Sequence, residues 1–325
     1  MLDLAGARVY ALPLRTRFRG ITVREGVLVQ GPAGWGEFCP FPEYGDREAA
    51  AWLAAAVEQA TGGWPPPVRD HVPVNVTVPA VDPDRARAIV AGSGCRTAKV
   101  KVADHPGSLP EDLARVEAVR DALGPGGAVR VDANGAWDVD TAVRAVRALD
   151  RAVGGLEYAE QPCATLEELA QLRRRVDVRV AVDESVRRAE DPLRVALAGA
   201  ADVVVLKCTP LGGVRRALRV AASVREAAGL PCVVSSALES SVGLGAELAL
   251  AGALPGLDLA CGLGTASLLA ADVVARPARP VDGRLPVPRT PPTPDPALLD
   301  AHAHPDPDRV RWWRERLARV AALLR

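Results

Sequence analysis

The sequence predicts a (β/α)8 barrel of the TIM type, an α/β fold, behind a small N-terminal α+β domain. Between about Val74 and Thr265, eight short runs rich in Val, Leu and Ala recur at intervals of roughly 25 to 30 residues, the length of a βα unit. Stretches such as "LPEDLARVEAVRDALG" separate the runs and have the apolar spacing of helices. Eight such units close into a barrel. An open doubly wound sheet is disfavoured because no G-x-G-x-x-G follows the first run.

The segments on either side of the barrel have different patterns. Residues 1–72 contain "ARVYALPL", "VREGVLVQ" and "GWGEFCPF", which are typical of antiparallel strands, and "DREAAAWLAAAVEQA", which is typical of a helix. We therefore expect an α+β capping domain at 1–72 and the barrel at 73–280. Residues 281–325 comprise a Pro-rich connection and a last helix, which we expect to return to the capping domain and complete it.

One segment of the capping domain has a predicted role at the barrel mouth. Residues 15–26, "RTRFRGITVREG", place Arg and Gly between two predicted strands. An ordinary hairpin loop is the simpler interpretation. We expect instead a mobile flap that closes over the barrel and shapes specificity.

The composition excludes two classes of partner. The chain has 40 Lys+Arg and 40 Asp+Glu, so its formal net charge is zero, which does not favour nucleic acid or an anionic membrane. No apolar run is long enough to span a bilayer, and the N-terminus lacks the basic-then-apolar order of a signal peptide. Six scattered cysteines without a CxxC pair are typical of reduced thiols. We expect a cytoplasmic protein, and the sequence leaves its oligomeric state open.

Lysine is rare in this chain. Only Lys99, Lys101 and Lys207 are lysines, and the other 37 basic residues are arginines. Arginine stays protonated at ordinary pH, whereas lysine can be neutral where its surroundings lower its pKa. Lys99 and Lys101 lie two residues apart in the strand "TAKVKVAD" and therefore point to the same face. These three lysines are the candidates for proton transfer.

Charged side chains end five consecutive predicted strands. Catalytic residues of such barrels come from the C-terminal ends of the strands. In chain order the strand ends supply two lysines, three groups of acids and amides, and a third lysine: Lys99 and Lys101; Asp132 with Asn134; Glu160 with Gln161; Asp183 with Glu184; and Lys207. The closed barrel thus places three acids along one arc with an amine at each flank.

Three converging carboxylates predict a divalent cation. Their mutual repulsion in a partly dry site is removed by a metal ion, and oxygen ligands without His or Cys favour Mg²⁺ or Mn²⁺ over Zn²⁺. A metal ion and a neutral lysine suit one reaction, removal of the weakly acidic proton next to a substrate carboxylate. The negative charge that develops on the carboxylate oxygens, as an enediolate, is stabilised by the cation.

These residues strongly resemble the enolase superfamily, in the branch similar to muconate lactonizing enzyme. The Lys-x-Lys pair, "DANGAW", "EQP", "DES" and "LK" are close to the forms found there, and the resemblance spans nearly the whole chain. It implies that Asp132, Glu160 and Asp183 bind Mg²⁺ and that Lys101 is the base. It also implies that Lys207 is the opposing lysine and Lys99 a supporting one.

Two further segments indicate which family within this branch the chain resembles. "SSALESSVG" and "ACGLGTASLLAADV" are most similar to the o-succinylbenzoate synthase family of that branch. This implies a carbon–oxygen lyase of menaquinone biosynthesis, which dehydrates 2-succinyl-6-hydroxy-2,4-cyclohexadiene-1-carboxylate (SHCHC) to o-succinylbenzoate. The expected residues that contact this small carboxylate substrate are Asn134, Ser235, Ser236, Gly262 and Gly264.

Several other functions remain open. N-succinylamino acid racemase and muconate cycloisomerase share the same constellation. Dipeptide epimerase ranks lower, because that group usually has Asp-x-Asp near the end of strand 8, where this chain has "CGLGT" with Asp258 only at the strand's start. A Schiff-base aldolase would use Lys207 as the nucleophile but leaves the three acids unexplained. A barrel that only binds metal or ligand leaves the lysines unexplained.

Overall fold

The computed structural model describes residues 3–187 and 198–324. The N-terminal part is an antiparallel three-stranded sheet in the order β1–β2–β3 with one helix packed on it: β1 (Asp3–Phe18), β2 (Ile21–Gly31), β3 (Gly34–Phe38) and α1 (Asp46–Thr61). Arg19 and Gly20 join β1 to β2 with φ of 50° and 80°, as the tight turn of a hairpin requires. Strand β2 is buried on both faces, with Val27 and Val29 in one apolar cluster and Leu28 in another.

Seven parallel strands form the barrel wall. They pair in chain order, as consecutive βα units do: β5 (Val76–Val78), β6 (Thr97–Lys101), β7 (Ala128–Asp132), β8 (Tyr158–Glu160), β9 (Val180–Val182), β10 (Val203–Leu206) and β11 (Cys232–Val234). Their Val-rich side chains are buried on both faces and form one continuous core with the surrounding helices. A separate antiparallel pair, β4 (His71–Pro73) with β12 (Arg284–Pro286), links the two ends of the barrel region.

The eighth predicted strand is reduced to two backbone bridges that close the barrel. Cys261 bridges to Val74 beside the first strand, and Gly262 bridges to Ser235 beside the last strand. The Cys261 N–H donates to Pro73 O at 2.7 Å, and the Gly262 N–H donates to Val234 O at 2.8 Å. A 3₁₀ helix at Gly264–Leu268 follows at once and ends the extended stretch. The (β/α)8 prediction is thus confirmed with a short closing element.

Helices follow the strands around the outside of the barrel. In chain order they are α2 (Pro83–Ala91), α3 (Leu109–Leu123), α4 (Val139–Val153), α5 (Leu166–Arg173), α6 (Glu184–Arg187), α7 (Cys208–Leu211), α8 (Val214–Ala228) and α9 (Ser241–Ala253). Side-chain caps fix several of their starts. At α5, Thr165 and Glu168 exchange hydrogen bonds in a capping box. Helix α9 is buried along its whole length, as its apolar sequence requires.

The C-terminal residues complete the capping domain. Helix α10 (Pro296–Ala301) leads to a backbone bridge between Ala303 and Tyr10 of β1. Helix α11 (Pro307–Ala322) then packs Trp313 edge-on against Phe38, with ring centroids 6.1 Å apart. The expected return of the last helix is therefore confirmed.

Two structural findings bear on the predicted surroundings of the protein. All six cysteines lie in the described residues, and each is a buried free thiol. Among the helices of the described residues, none is long and apolar enough to cross a membrane.

Candidate active site

The two lysines of β6 reach the carboxylates of the neighbouring strands. Lys101 pairs in register with Asp132 of β7, and Asp132 pairs with Glu160 of β8, so all three side chains lie at one end of the barrel. Lys101 Nζ donates to Asp132 Oδ2 and to Asn134 Oδ1, both at 2.6 Å. Lys99 Nζ donates to Glu160 Oε1 at 2.7 Å and lies 3.4 Å from Asp132 Oδ2. The like charges on one strand face are thus balanced by buried acids.

The third lysine, Lys207, contacts the acids from the side opposite to Lys99 and Lys101. Lys207 follows β10 directly, and its Nζ donates to Asp183 Oδ2 at 2.6 Å. Asp183 is 1% exposed and Lys207 8% exposed, so this ion pair is largely removed from water. The predicted arc of acids between flanking lysines is present in the structure.

Burial and mutual repulsion perturb these acids. Burial raises the pKa of Glu160 to about 7, since repulsion from Asp132 and Asp183 adds to burial and outweighs the opposing Lys99. Burial opposes the charge of Lys99 as well, but the Glu160 and Asp132 carboxylates outweigh it and raise the Lys99 pKa. Burial likewise opposes ionisation of Asp132, yet Lys101 and Lys99 lower its pKa. The neighbouring carboxylates therefore favour the charged form of Lys99.

A cleft opens above these charges at the C-terminal ends of the strands. Nine candidate residues named in the sequence analysis line it: Lys99, Lys101, Asp132, Asn134, Glu184, Lys207, Ser235, Ser236 and Gly262. Glu160 and Asp183 lie behind this lining. Gly264 is also outside it, because its backbone packs on the first strand, where a Cβ would lie 2.7 Å from Asn75 O. Gly262 has a similar reason to lack a side chain, since a Cβ there would lie 2.4 Å from Ser235 Oγ.

The serines of the cleft are held by neighbours. Ser236 Oγ lies 2.7 Å from Thr265 Oγ1 and accepts a hydrogen bond from Leu238 N at 2.8 Å. Ser235 is fixed through its backbone, because its N–H donates to Leu206 O at 2.9 Å. Both side chains are nearly buried and line the cleft, where they face any ligand that enters.

The capping domain supplies three cleft residues that sequence reasoning did not name. Phe18 and Arg19, at the tip of the β1–β2 hairpin, and Phe41, after β3, line the cleft. The Phe18 ring centroid lies 5.5 Å from Lys101 Nζ. The Arg19 guanidinium lies 4.2 Å from the Phe41 ring centroid and donates to Tyr44 Oη at 2.7 Å. The predicted flap segment therefore reaches the cleft as a hairpin, and its mobility stays a prediction.

Amide side chains join the strand ends to each other. The buried Gln161 side chain accepts from Asp183 N at 3.0 Å and donates to Ser185 Oγ at 2.8 Å, which ties β8 to β9. Asn134, besides its bond to Lys101, donates to Glu184 Oε1 at 3.2 Å. Asn134 and Gln161 both have positive φ, 49° and 38°, which non-glycine residues adopt only where the surroundings hold them.

Comparison with known proteins agrees with this arrangement. Residues 82–291 match the enolase C-terminal domain-like family and residues 9–60 the enolase N-terminal domain-like family. The o-succinylbenzoate synthase of Thermobifida fusca is 68% identical over 282 residues, which is 87% of this chain and 87% of that protein. The chain belongs to the enolase superfamily. The family matches confirm the resemblance to the enolase superfamily that was inferred from the strand-end residues.

Other superfamily members are similar over nearly the whole length. The o-succinylbenzoate synthase of Mycolicibacterium smegmatis is 57% identical over 317 residues, covering 97% of this chain and 95% of that protein. Among solved structures, muconate lactonizing enzyme from Pseudomonas fluorescens complexed with muconolactone matches with a TM-score of 0.80 and 25% identity, over 94% of this chain and 98% of that one. The barrel and its capping domain are thus the shared superfamily architecture.

Enolase superfamily enzymes generally use a divalent metal ion, and the buried acids have the donor chemistry for one. Within the described residues, Glu160 Oε2 is buried and has no hydrogen-bond partner, an arrangement that is costly unless a cation faces it. In the same residues, no three His, Cys, Asp or Glu side chains are arranged to hold a metal ion, and the lysine ammonium groups lie against the carboxylates. The assignment of Asp132, Glu160 and Asp183 as ligands therefore stays a prediction.

Proposed function

We propose that this chain catalyses the o-succinylbenzoate synthase reaction, the dehydration of SHCHC to o-succinylbenzoate, as a lyase of menaquinone biosynthesis in the cytoplasm. High identity to curated enzymes of that name over most of the chain carries the proposal. The lysine-flanked acids at the barrel mouth support it, because they provide a base and positive charge around one small carboxylate substrate.

Lys101 is the proposed base. Its Nζ is partly exposed in the cleft, and its two acceptors, Asp132 and Asn134, fix its direction. Neutral Lys101 would take the proton next to the ring carboxylate, and the C–H electron pair would move into that carboxylate as an enediolate. Hydroxide would then leave from the adjacent carbon with the proton that Lys101 now carries, so that water is released and the ring becomes aromatic.

Lys207 and Lys99 are proposed to act as cations. Lys207 faces the cleft from the flank opposite Lys101, where an ammonium group would stabilise the ring intermediate by charge and by cation–π attraction. Lys99 is more deeply buried and holds Glu160 and Asp132 in place. A divalent ion, for which we propose Mg²⁺ with Asp132, Glu160 and Asp183 as ligands, would supply positive charge to the substrate carboxylate.

The succinyl carboxylate is proposed to bind at the opposite wall of the cleft. Ser235, Ser236 and Gly262 meet there, and the two serine hydroxyls are the donors proposed for an anion, because the three backbone N–H groups already donate to backbone carbonyls. Arg19, at the hairpin tip, adds a guanidinium to the lining of the same cleft. Two carboxylates of one substrate would thus be held at the two ends of the cleft.

A matched set of assays tests the proposal. Purified protein with Mg²⁺ is expected to convert SHCHC to o-succinylbenzoate, followed by ultraviolet absorbance, while the same preparation is tested for N-succinylamino acid racemisation and dipeptide epimerisation. N-succinylamino acid racemase is the second candidate, because Lys101 and Lys207 stand on two flanks of one cleft. Racemisation without SHCHC dehydration would assign that function instead.

A further inference from the structure

A buried guanidinium joins the capping domain to one wall of the cleft. Arg24 of β2 is 1% exposed. Its Nε donates to Leu238 O at 2.9 Å, and its Nη2 donates to Ala237 O at 3.3 Å and also to Cys39 O. No ion pair joins it to a carboxylate of the described residues, so its charge is surrounded by backbone carbonyls and by the Phe41 ring, whose centroid lies 4.4 Å from the guanidinium carbon, with the Glu37 and Glu239 carboxylates favouring it from further away. A buried charge held in this way is costly, which indicates a role beyond filling space.

Two of the carbonyls that Arg24 binds, those of Ala237 and Leu238, belong to residues that line the cleft. Residues 235–238, here called the cleft wall, follow β11 and line the cleft with their side chains or backbone. Leu238 has a φ of 68°, in the left-handed region that is unfavourable for a residue with a side chain. Such a conformation persists only where neighbouring groups enforce it. Arg24 contacts the two carbonyls at this bend.

A second buried charge of the capping domain holds the chain just beyond the cleft wall. Glu37 of β3 is 1% exposed and accepts hydrogen bonds from Ser240 N at 2.9 Å and Gly243 N at 2.7 Å. Tyr10 donates to the same carboxylate at 2.5 Å. The capping domain therefore binds carbonyls before α9 through Arg24 and amides at the start of α9 through Glu37. Both contacts fix where the cleft wall lies.

We propose that Arg24 is a positioning residue for the reaction. It holds the cleft wall in the conformation that binds the substrate, acting through the carbonyls of Ala237 and Leu238 and without touching the substrate. The identity of that substrate rests on the proposed function. Because the lysines lie on other strands, the loss of Arg24 changes substrate binding far more than the proton-transfer step.

The kinetic test compares Arg24→Met with a control at the other end of α9. Arg69 donates to Ala251 O at 2.5 Å and Leu254 O at 2.6 Å, so Arg69→Met removes similar guanidinium–carbonyl bonds away from the cleft. Arg24→Met is expected to raise KM for SHCHC about tenfold, equivalent to ~1.4 kcal/mol, with kcat changed less than about threefold. Arg69→Met is expected to lower Tm and keep KM. Equal KM changes in both variants would overturn the proposal.

Chemical rescue separates positioning from general destabilisation. Low concentrations of guanidinium chloride are expected to lower the raised KM of Arg24→Met, whereas sodium chloride at the same ionic strength is not. The KM of Arg24→Lys, which keeps a buried donor, is expected to lie between the KM of the parent and that of Arg24→Met. Rescue by both salts alike, or wild-type KM in Arg24→Met, would show that Arg24 does not position the wall.

Hydrogen exchange tests the same idea without any substrate. Amides of residues 235–243 are expected to exchange faster in Arg24→Met than in the parent, and to be unchanged in Arg69→Met. This result is independent of whether SHCHC is the substrate, so a failed assay of the parent enzyme would refute the proposed function alone. Unchanged exchange at residues 235–243 in Arg24→Met would refute the positioning role.

Discussion

Lys101 and Asp132 face each other across the β6–β7 pair, with Lys101 Nζ 2.6 Å from Asp132 Oδ2. The proposed base is therefore in direct contact with a proposed metal ligand. Binding of a cation by Asp132 would compete with Lys101 for the carboxylate and would release the amine toward the substrate. Under the proposed function, the contact would therefore link metal binding to the availability of the base.

Lys101→Arg is predicted to abolish nearly all turnover while the protein folds and binds Mg²⁺. Arginine keeps the charge and roughly the reach but cannot become neutral. Loss of a general base typically costs on the order of 10²–10⁴-fold in rate. The measurements are kcat with SHCHC, Mg²⁺ affinity and thermal unfolding. Substantial dehydration by this variant would show that another residue is the base.

Lys207→Arg is predicted to retain part of the dehydration activity. A residue that acts only as a cation tolerates arginine, whereas one that exchanges a proton does not. Racemases need proton exchange on both faces of the substrate, and a single-base dehydration needs it on one. Deuterium incorporation from solvent into a substrate analogue, measured in both Lys207→Arg and Lys101→Arg, separates the two functions. A dead Lys207→Arg enzyme that still folds would favour the racemase.

Lys99→Met is predicted to destabilise the fold by about 3–5 kcal/mol in metal-free buffer at pH 8, because it leaves buried carboxylates without their cation. Lys99 opposes the raised pKa of Glu160, which is about 7, so its removal raises that pKa further. Burial costs little free energy while Glu160 is protonated. The stability gained in this way is lost as pH rises through the folded-state pKa of Glu160. The loss in free energy of unfolding caused by Lys99→Met is therefore expected to be smaller near pH 5 than at pH 8.

Urea unfolding at the two pH values measures this effect. Arg87→Met, which removes an exposed ion pair with Asp84 and Asp121, is the matched control and is expected to change the free energy of unfolding by less than about 1 kcal/mol. A Lys99→Met penalty that is as small as the control's would contradict the buried-pair interpretation.

Activity is predicted to require a divalent ion. EDTA should abolish turnover, and Mg²⁺ or Mn²⁺ should restore it. Asp132→Asn, Glu160→Gln and Asp183→Asn should each raise the Mg²⁺ concentration needed for half-activity, since each removes a charged oxygen donor. Asp138→Asn is the control, because Asp138 is an exposed helix cap where Asn serves equally well. Full activity after complete chelation would refute the metal-dependent mechanism.

The strand-end residues were predictable because a barrel has a regular geometry. Alternation along β6 places Lys99 and Lys101 together, and the C-terminal ends of parallel strands meet at one face, so Asp132 and Lys207 followed from position alone. The pairing of each lysine with its acid was not predictable, since it depends on side-chain reach and on burial. Sequence pattern also overestimated the eighth strand, which the glycines of "CGLGT" shorten to two bridges.

The capping-domain residues of the cleft needed tertiary structure. Residues 15–26 were expected at the barrel mouth from the sequence, but Phe18 and Arg19 lie about eighty residues before Lys101, so which of their side chains line the cleft could not be predicted. The composition did contain one indication of which residues line the cleft. The chain has three phenylalanines, and two of them, Phe18 and Phe41, line the cleft.

The capping domain combines the two ends of the sequence, with Tyr10 bridged to Ala303 and Phe38 packed on Trp313. Contacts of such long sequence separation form late, because the intervening chain must first be made and ordered. During synthesis the barrel strands can therefore associate well before helix α11 leaves the ribosome. Phe18, Arg19, Phe41 and Arg24 all depend on this domain, so the reaction site is completed only after the barrel. A nascent chain that still lacks helix α11 is therefore expected to be inactive, because its capping domain is incomplete.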